Sequence, residues 1–241
     1  MERKTIGIVQ PTYIPWLPFF ERMVYSDIFV ILDDVKYTKN SFFNRNALRG
    51  IDGRVLLTVP VLHKGHSEAL INEIRVDWKI NWNLKHFKTI KQYYAKAPHF
   101  KFYQDEIEYL YANTNEKLID VVIPLINFLK REFMITTPCY LSSEISAPGI
   151  KNEKLVNLCK YFAGTHFIVK PGTEAYHPPD EFIPYGINFF SLGYTIFEYP
   201  QRHGPFEPYL SALDYVLNCG RCDLKSVIDH HRKEQMKNGR Y

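Results

Sequence analysis

Cysteine is scarce in this chain, four residues in 241, and without an export signal these should be reduced thiols, so no disulfide framework is expected. Long apolar runs are missing too. The longest, such as residues 28–32, are strand-sized, far below the roughly 18 residues a membrane-spanning helix needs. The opening Met-Glu-Arg-Lys-Thr leads straight into Ile-Gly-Ile-Val and is broken by Gln10-Pro11, too short for a signal-peptide core, which makes cytoplasmic residence the expectation. Neither charge sign dominates: 30 Lys+Arg against 26 Asp+Glu give a formal +4, too mild to imply a nucleic-acid partner.

Several motifs are absent as well. No G-x-G-x-x-G, P-loop or G-x-S-x-G occurs, which removes the easiest nicotinamide, nucleotide-triphosphatase and α/β-hydrolase readings. None of the histidines, His63, His66, His86 and His99 among them, forms a tight H-x-x-x-H ligand pair. Cys219-Gly-Arg-Cys222, followed by His230-His231, has ligand-like spacing on its first half only; a lone C-x-x-C is weak, so no metal site is assigned.

What the chain does contain is a core. Hydrophobic residues make up 46% and aromatic residues 15%, with 17 Tyr and 17 Phe. These should bury a sizeable interior edged by polar clefts, because tyrosine hydroxyls need partners. One unit over residues 1–241 is expected, with any subdivision near residues 136–150.

Short apolar runs alternate with helical spacing. Residues 6–9 read as a buried parallel strand, 17–25 as a helix and 28–32 as a second strand ending at Asp33-Asp34. Further strands are expected at 54–61, 71–76, 165–169, 187–192 and 195–199, with Tyr140 opening a short segment to Glu144. Helices are expected at 81–94, 105–111, 115–133, 152–162, 211–217 and 224–232. Thr114 or Asn115 would cap the 115–133 helix and Pro124 should kink or split it. Residues 233–241 should fray. The fold class is therefore α/β: a Rossmann-like, mostly parallel sheet flanked by helices, with a smaller helical/αβ C-terminal part.

Ligands of open α/β sheets sit beyond the carboxyl ends of the strands, which places residues 10–16 beside residues 33–39. Gln10-Pro-Thr-Tyr-Ile-Pro-Trp16 carries two prolines, a stiffness that suits ligand positioning. Gln10 offers a donor and an acceptor; Tyr13 and Trp16 offer flat faces for a sugar or base. A proline-braced turn with Trp16 as a core anchor explains the same residues. The run from Asp33 to Asn46 packs two carboxylates, Lys36, Lys39, Arg45 and the amides Asn44 and Asn46 right after a strand. Adjacent carboxylates can act as a base or hold a divalent cation, and Lys39 and Arg45 can clamp phosphate or carboxylate; a solvated loop with internal ion pairs is the competing explanation. The polar loop from residue 63 to 68 has the character of a lid, and residues 58–63, 172–176 and 199–206 are further polar and aromatic loops.

Taken in order, Gln10-Pro-x-Tyr13-x-Pro-Trp16-x-x-Phe-Phe20, Ser26-Asp27-x-Phe29-Val30-x-x-Asp33-Asp34-Val35, Lys39-Asn40-Ser41-Phe42-x-Asn44-Arg45, Leu57-Thr-Val-Pro-Val61, the 201–206 segment, Leu210-Ser211-x-x-Asp214 and Asn218-x-Gly220 resemble the WbqC-like protein family of bacterial surface-polysaccharide gene clusters. Many relatives carry His where this chain has Val9, so no role is carried to that position; the middle loop departs too, at Val169-Lys170-Pro171. The resemblance implies a bacterial protein of lipopolysaccharide or related glycan biosynthesis. Its leading reading is an acyl- or aminoacyl-transferase on an amino sugar, with a nucleotide sugar as small-molecule substrate and a carrier-protein-bound acyl donor as one source of the acyl group. Asp33 or Asp34 would be the base and Lys39 and Arg45 would bind phosphate or an oxyanion. Gln10, Tyr13, Trp16 and Asn44 would position the sugar, and Gln201 and Asp214 would close the far wall. Metal-assisted glycosyl transfer through the Asp33/Asp34 pair and a non-catalytic sugar-binding scaffold are the rivals. No cofactor is assigned.

Overall fold

The computed structural model describes residues 2–39, 41–62, 68–112 and 115–237. Most of the 63–68 loop, His63 and His66 with it, lies outside these residues, as do Asn40, Thr114 and the last four positions. At the centre is a five-stranded sheet, parallel throughout, built from β1 (Thr5–Val9), β2 (Ile28–Ile31), β7 (Cys139–Leu141), β8 (His166–Val169) and β9 (Asn188–Ser191) in the order β7-β2-β1-β8-β9. The expected α/β class holds.

Both faces of the sheet are covered, as parallel strands require. Ile6, Ile8, Val30, Phe167 and Val169 pack against the apolar stripe of α5 (Lys151–Tyr161). Phe29 and Ile31 point the other way, into a larger core built on α1 (Leu17–Val24), α2 (Trp82–Tyr94), α3 (Phe100–Ala112), α4 (Leu118–Glu132), α6 (Ala212–Cys219) and α7 (Leu224–Lys237). At Gly7 a Cβ would stand 2.3 Å from Ser26 Oγ and 2.9 Å from the Phe29 ring, so only glycine lets the α1–β2 turn close on β1.

Several elements differ from their sequence pattern, each for a local reason. Arg45–Gly50 forms a strand, β3, that pairs antiparallel with β4 (Gly53–Thr58) across an Ile51-Asp52 turn; its Arg-Asn-rich sequence reads as loop. The expected 54–61 strand is two, β4 and β5 (Val61–Leu62), and β5 pairs with β6 (Arg75–Val76), while Ile71–Glu73 is a 3-10 turn rather than strand. Residues 195–199 have strand-like alternation but join no sheet, because the Thr195 amide donates to the Glu21 carboxylate (3.0 and 3.2 Å). Helix α3 starts earlier than its periodicity indicates, and α7 runs on to Lys237.

Pro124 does not split α4. The carbonyl that its missing N–H would leave without a partner, that of Asp120 one turn back, accepts from Asn115 Nδ2 at 2.9 Å. Asn115 is therefore not the cap of the helix, which has Lys117 at that position.

The loop leaving β1 is held from all sides. Ile14 has φ +37°, the left-handed region that β-branched residues avoid. Asn46 Nδ2 donates to the Tyr13 and Ile14 carbonyls (3.3 and 3.0 Å), Tyr13 N to Phe42 O (3.0 Å), and Ala212 N to Pro15 O (2.7 Å). The Tyr13 hydroxyl bonds the Tyr111 hydroxyl (2.6 Å) and His86 Nδ1 (2.8 Å) inside the core. The proline-braced loop is thus a rigid shelf from β1 to α1.

Two stability predictions arise here. Glu21, 1% exposed, accepts from Thr195 and from Arg232 Nη2 at 3.0 Å, tying α1, α7 and the segment after β9 together. Arg232→Met leaves that carboxylate buried without its cation and should cost about 3 kcal/mol in urea unfolding; adding Glu21→Met should restore most of it. Retention of wild-type stability by Arg232→Met alone would show that the pair does not hold these segments.

His86, 4% exposed, is pushed down by burial from 6.5 to about 4. The unfolded chain therefore takes up this proton below about pH 6.5 while the folded one resists until about pH 4. The stabilisation is complete above pH 6.5 and is lost as pH falls to 4, by about 3 kcal/mol in total. His86→Gln should flatten the decline of unfolding free energy between pH 6.5 and 4 relative to wild type; parallel curves would contradict a neutral buried imidazole.

Candidate functional site

The strand order fixes where a ligand can enter. From β1 the chain moves to β2 on one side, while β8 lies on the other, so the crevice beyond the carboxyl ends of β1 and β8 is the switch point of the sheet. A cleft of about 1250 Å³ opens there, larger than a monosaccharide needs. Its floor is apolar, with Ile8, Val9, Leu32, Leu155 and Phe167, and Gln10, Arg22, Asp34, Lys154 and Lys170 project into it. Phe42, Ile150 and Tyr176, each more than half exposed, stand on the rim.

At the end of β2 the two aspartates part company, because successive residues of an extended chain face opposite sides. Asp33 turns inward and is 1% exposed. Its Oδ1 accepts from Ser143 N (2.9 Å) and its Oδ2 from Ser143 Oγ (2.7 Å), while its own amide donates to Ser142 Oγ (3.0 Å). Asp34 turns toward the cleft. Lys154 Nζ donates to its Oδ2 at 2.5 Å, and the Ser142 hydroxyl lies against its Oδ1 and against Asp33 Oδ1. Ser142 has one proton for two carboxylates, so it couples them. A carboxylate and an ammonium thus face one open space side by side, a base and a proton donor within reach of the same reacting group.

Lys154 and Ser142 were not among the residues singled out from the sequence. A signal existed for the lysine: it falls four residues before Leu158 within the buried stripe of α5, where a charge without a partner is costly. For Ser142 there was none.

The other sequence candidates lie in several places. Gln10 and Thr12 border the cleft. Tyr13, at 0% exposure, turns its ring to the core and presents no face to a ligand. Trp16 is half-buried and meets the Tyr194 and Tyr209 rings at 5.1 and 5.7 Å, bracing Tyr194, which does border the cleft. Lys39 is exposed and does not line the cleft, although Thr38 and Ser41 do. Asn44 is buried; it donates to Val59 O (2.8 Å) and accepts from Tyr37 Oη (3.3 Å). Arg45 begins β3, half-buried near Tyr37.

Gln201 and Asp214 come together, but as a clasp rather than a cleft wall. Asp214, 0% exposed, accepts from Tyr94 Oη (2.5 Å), Tyr199 Oη (2.9 Å) and Gln201 Nε2 (3.0 Å). Burial pushes its carboxyl up, against the pull of these donors. Gln201 also closes the 201–207 loop through both its side-chain atoms and the Glu207 backbone. Cys219 and Cys222 are free thiols raised by burial, and among the described residues no three or more His, Cys, Asp or Glu side chains gather into a metal-binding group. Nor is any helix among them long and apolar enough to cross a membrane.

Comparison with known proteins gives a consistent picture. A relative described as "Uncharacterized protein Rv1507c", from Mycobacterium tuberculosis, is 32% identical over 221 residues, covering 90% of this chain and 94% of its own length. No solved structure matches. The model of the WbqC-like protein family matches residues 10–226, a span that takes in the β1 loop, both aspartates and the Asp214 clasp. The chain therefore belongs to the WbqC-like protein family, which is associated in general with polysaccharide biosynthesis.

Proposed function

We propose that the cleft is the active site of a transferase of bacterial cell-surface polysaccharide biosynthesis, of the O-antigen type, that acylates or aminoacylates a nucleotide-linked amino sugar. The observation that carries this reading is the Asp34–Lys154 pair, set beside Gln10 at the switch point of the sheet. The sugar amine attacks the carbonyl carbon of a thioester donor. As the N–C bond forms, the amine proton passes to Asp34; as the C–S bond breaks, the departing sulfur takes a proton from Lys154. The ammonium also lies where negative charge develops on the carbonyl oxygen. Gln10 orients the sugar through its amide.

Asp33 has a different part in this scheme. Its oxygens are bonded by Ser142 and Ser143 and it is 1% exposed, which makes it the anchor that holds Asp34 in place rather than a group that meets substrate. Asn44, Gln201 and Asp214 serve as braces. Lys39 has no role in the chemistry.

The first assay is thermal unfolding against nucleotides, nucleotide amino sugars and acyl thioesters, since a ligand of the folded state raises the midpoint. Turnover of the pair identified is then followed by mass spectrometry. Asp34→Asn leaves the buried Lys154 ammonium without its carboxylate, so it should lower the melting temperature, and below that temperature the folded protein should lose about 100-fold or more in turnover. Asp33→Asn should also lower the melting temperature, because it disturbs a buried, hydrogen-bonded carboxylate. Wild-type turnover by folded Asp34→Asn would remove Asp34 as the base.

A further inference from the structure

One cation in the cleft is conspicuously short of partners. Arg22 sits in the last turn of α1 with its guanidinium half-buried in the cleft wall. Its five N–H donors have one hydrogen bond, a long one of 3.4 Å to Tyr194 Oη. Among the described residues no carboxylate comes within ion-pair distance of it. The neighbouring Glu21 is taken up by Thr195 and Arg232 and makes no ion pair with Arg22, although its charge favours the guanidinium. Burial pushes Arg22 down from its ordinary range against the pull of Tyr194 and Glu21, the mark of a charge taken out of water with incomplete compensation.

The other cations of the cleft divide in two. Lys154 holds Asp34 and Lys36 holds Glu68 at 2.7 Å. Lys170, the first residue after β8, and Lys151 line the same cleft with no carboxylate partner among the described residues. Among the described residues, five cationic side chains thus face two carboxylates. A surplus of this size in one cleft fits a ligand carrying two or three negative charges, and a planar guanidinium fork with its donors free fits phosphoryl oxygens two at a time.

We propose that Arg22 and Lys170 form a diphosphate subsite, gripping the phosphoryl groups of a nucleoside diphosphate-linked ligand from the two sides of β1. The assignment rests on reading the cleft as the ligand site and goes beyond it by moving phosphate recognition away from Lys39 and Arg45. Tyr194 sets the guanidinium plane, and Trp16, packed edge-on against Tyr194, holds that tyrosine; Trp16 is a positioning residue here. The exposed rings of Phe42 and Tyr176 on the rim supply flat apolar surface for a nucleobase.

Isothermal titration of the full chain with UDP, UMP and inorganic pyrophosphate at low ionic strength tests this. UDP and pyrophosphate should both bind, with UMP about tenfold weaker than UDP. Arg22→Lys keeps the charge and loses the fork, and should weaken UDP and pyrophosphate about tenfold without changing the melting temperature of the free protein. Lys170→Ala, an exposed change, should weaken them several-fold and decides the matter if Arg22→Lys does not fold. Lys39→Ala should match wild type. Binding of UDP and pyrophosphate by folded Arg22→Lys and by Lys170→Ala at wild-type affinity would overturn the subsite. So would a wild-type protein that binds glutamate but neither diphosphate at about millimolar concentration. This failure is distinct from that of the base assignment, which is read from turnover in Asp34→Asn and not from diphosphate affinity.

Discussion

The buried carboxylate of Asp33 is the contact on which the site depends. It joins the end of β2 to the turn after β7 through Ser142 and Ser143, and its carbonyl accepts from Asn72 N at 2.9 Å. A carboxylate at 1% exposure is tolerable only when its oxygens are bonded. The requirement works in both directions: the serines must come to the aspartate, so β7 must end where it does beside β2. Once that joint is made, the next residue has no freedom left, and Asp34 emerges into the cleft within reach of Lys154.

The outline of this arrangement was legible in the sequence because the sheet is parallel and its strands are apolar on both faces. Residues 6–9, 28–32 and 165–169 stand out as short apolar runs, and each ends in polar residues that became the mouth of the cleft. What escaped reading was apolar pattern without pairing, and pairing without apolar pattern. β3 is a strand made of Arg45-Asn-Ala-Leu-Arg-Gly50 whose Asn46 and Arg49 are buried: Arg49 donates to the His203 and Pro205 carbonyls (2.8 and 3.1 Å), and Asn46 supports the Ile14 turn. Satisfaction came from loops more than 30 residues away in the chain, which no local window records. Residues 195–199 fail in the opposite sense, since Glu21 takes the amide that a sheet neighbour would have used.

The same limit applied to the candidate site. Polar density after a strand pointed to the carboxyl end of the sheet, where the cleft opens, but it could not say which of two adjacent aspartates faces in. Tyr13 and Asp214 look alike in sequence to ligand-binding groups because they are polar residues among loops. The structure sets them at 0% exposure, and their bonds to His86 and Tyr111 or to Tyr94, Tyr199 and Gln201 fix the position of loops that frame the cleft without entering it.

How charge is settled across the molecule separates structure from function. Among the described residues every deeply buried carboxylate is met: Asp33 by two serines, Glu21 by Thr195 and Arg232, Glu132 by Tyr103 and Arg131, Asp214 by two tyrosines and a glutamine. A fold that meets these four does not lack the means to pair a fifth charge, and Glu21 lies one residue from Arg22. Yet on α1 the acid is taken up by α7 and the base turns to the cleft, where Tyr194 and Glu21 offset its desolvation only in part. Local rules are broken at functional positions more than elsewhere, since stability alone would remove the mismatch. The cleft in which Arg22 has no carboxylate partner is also the one into which the Asp34–Lys154 pair opens, and on the function proposed above that coincidence, more than any single residue, points to the ligand's place.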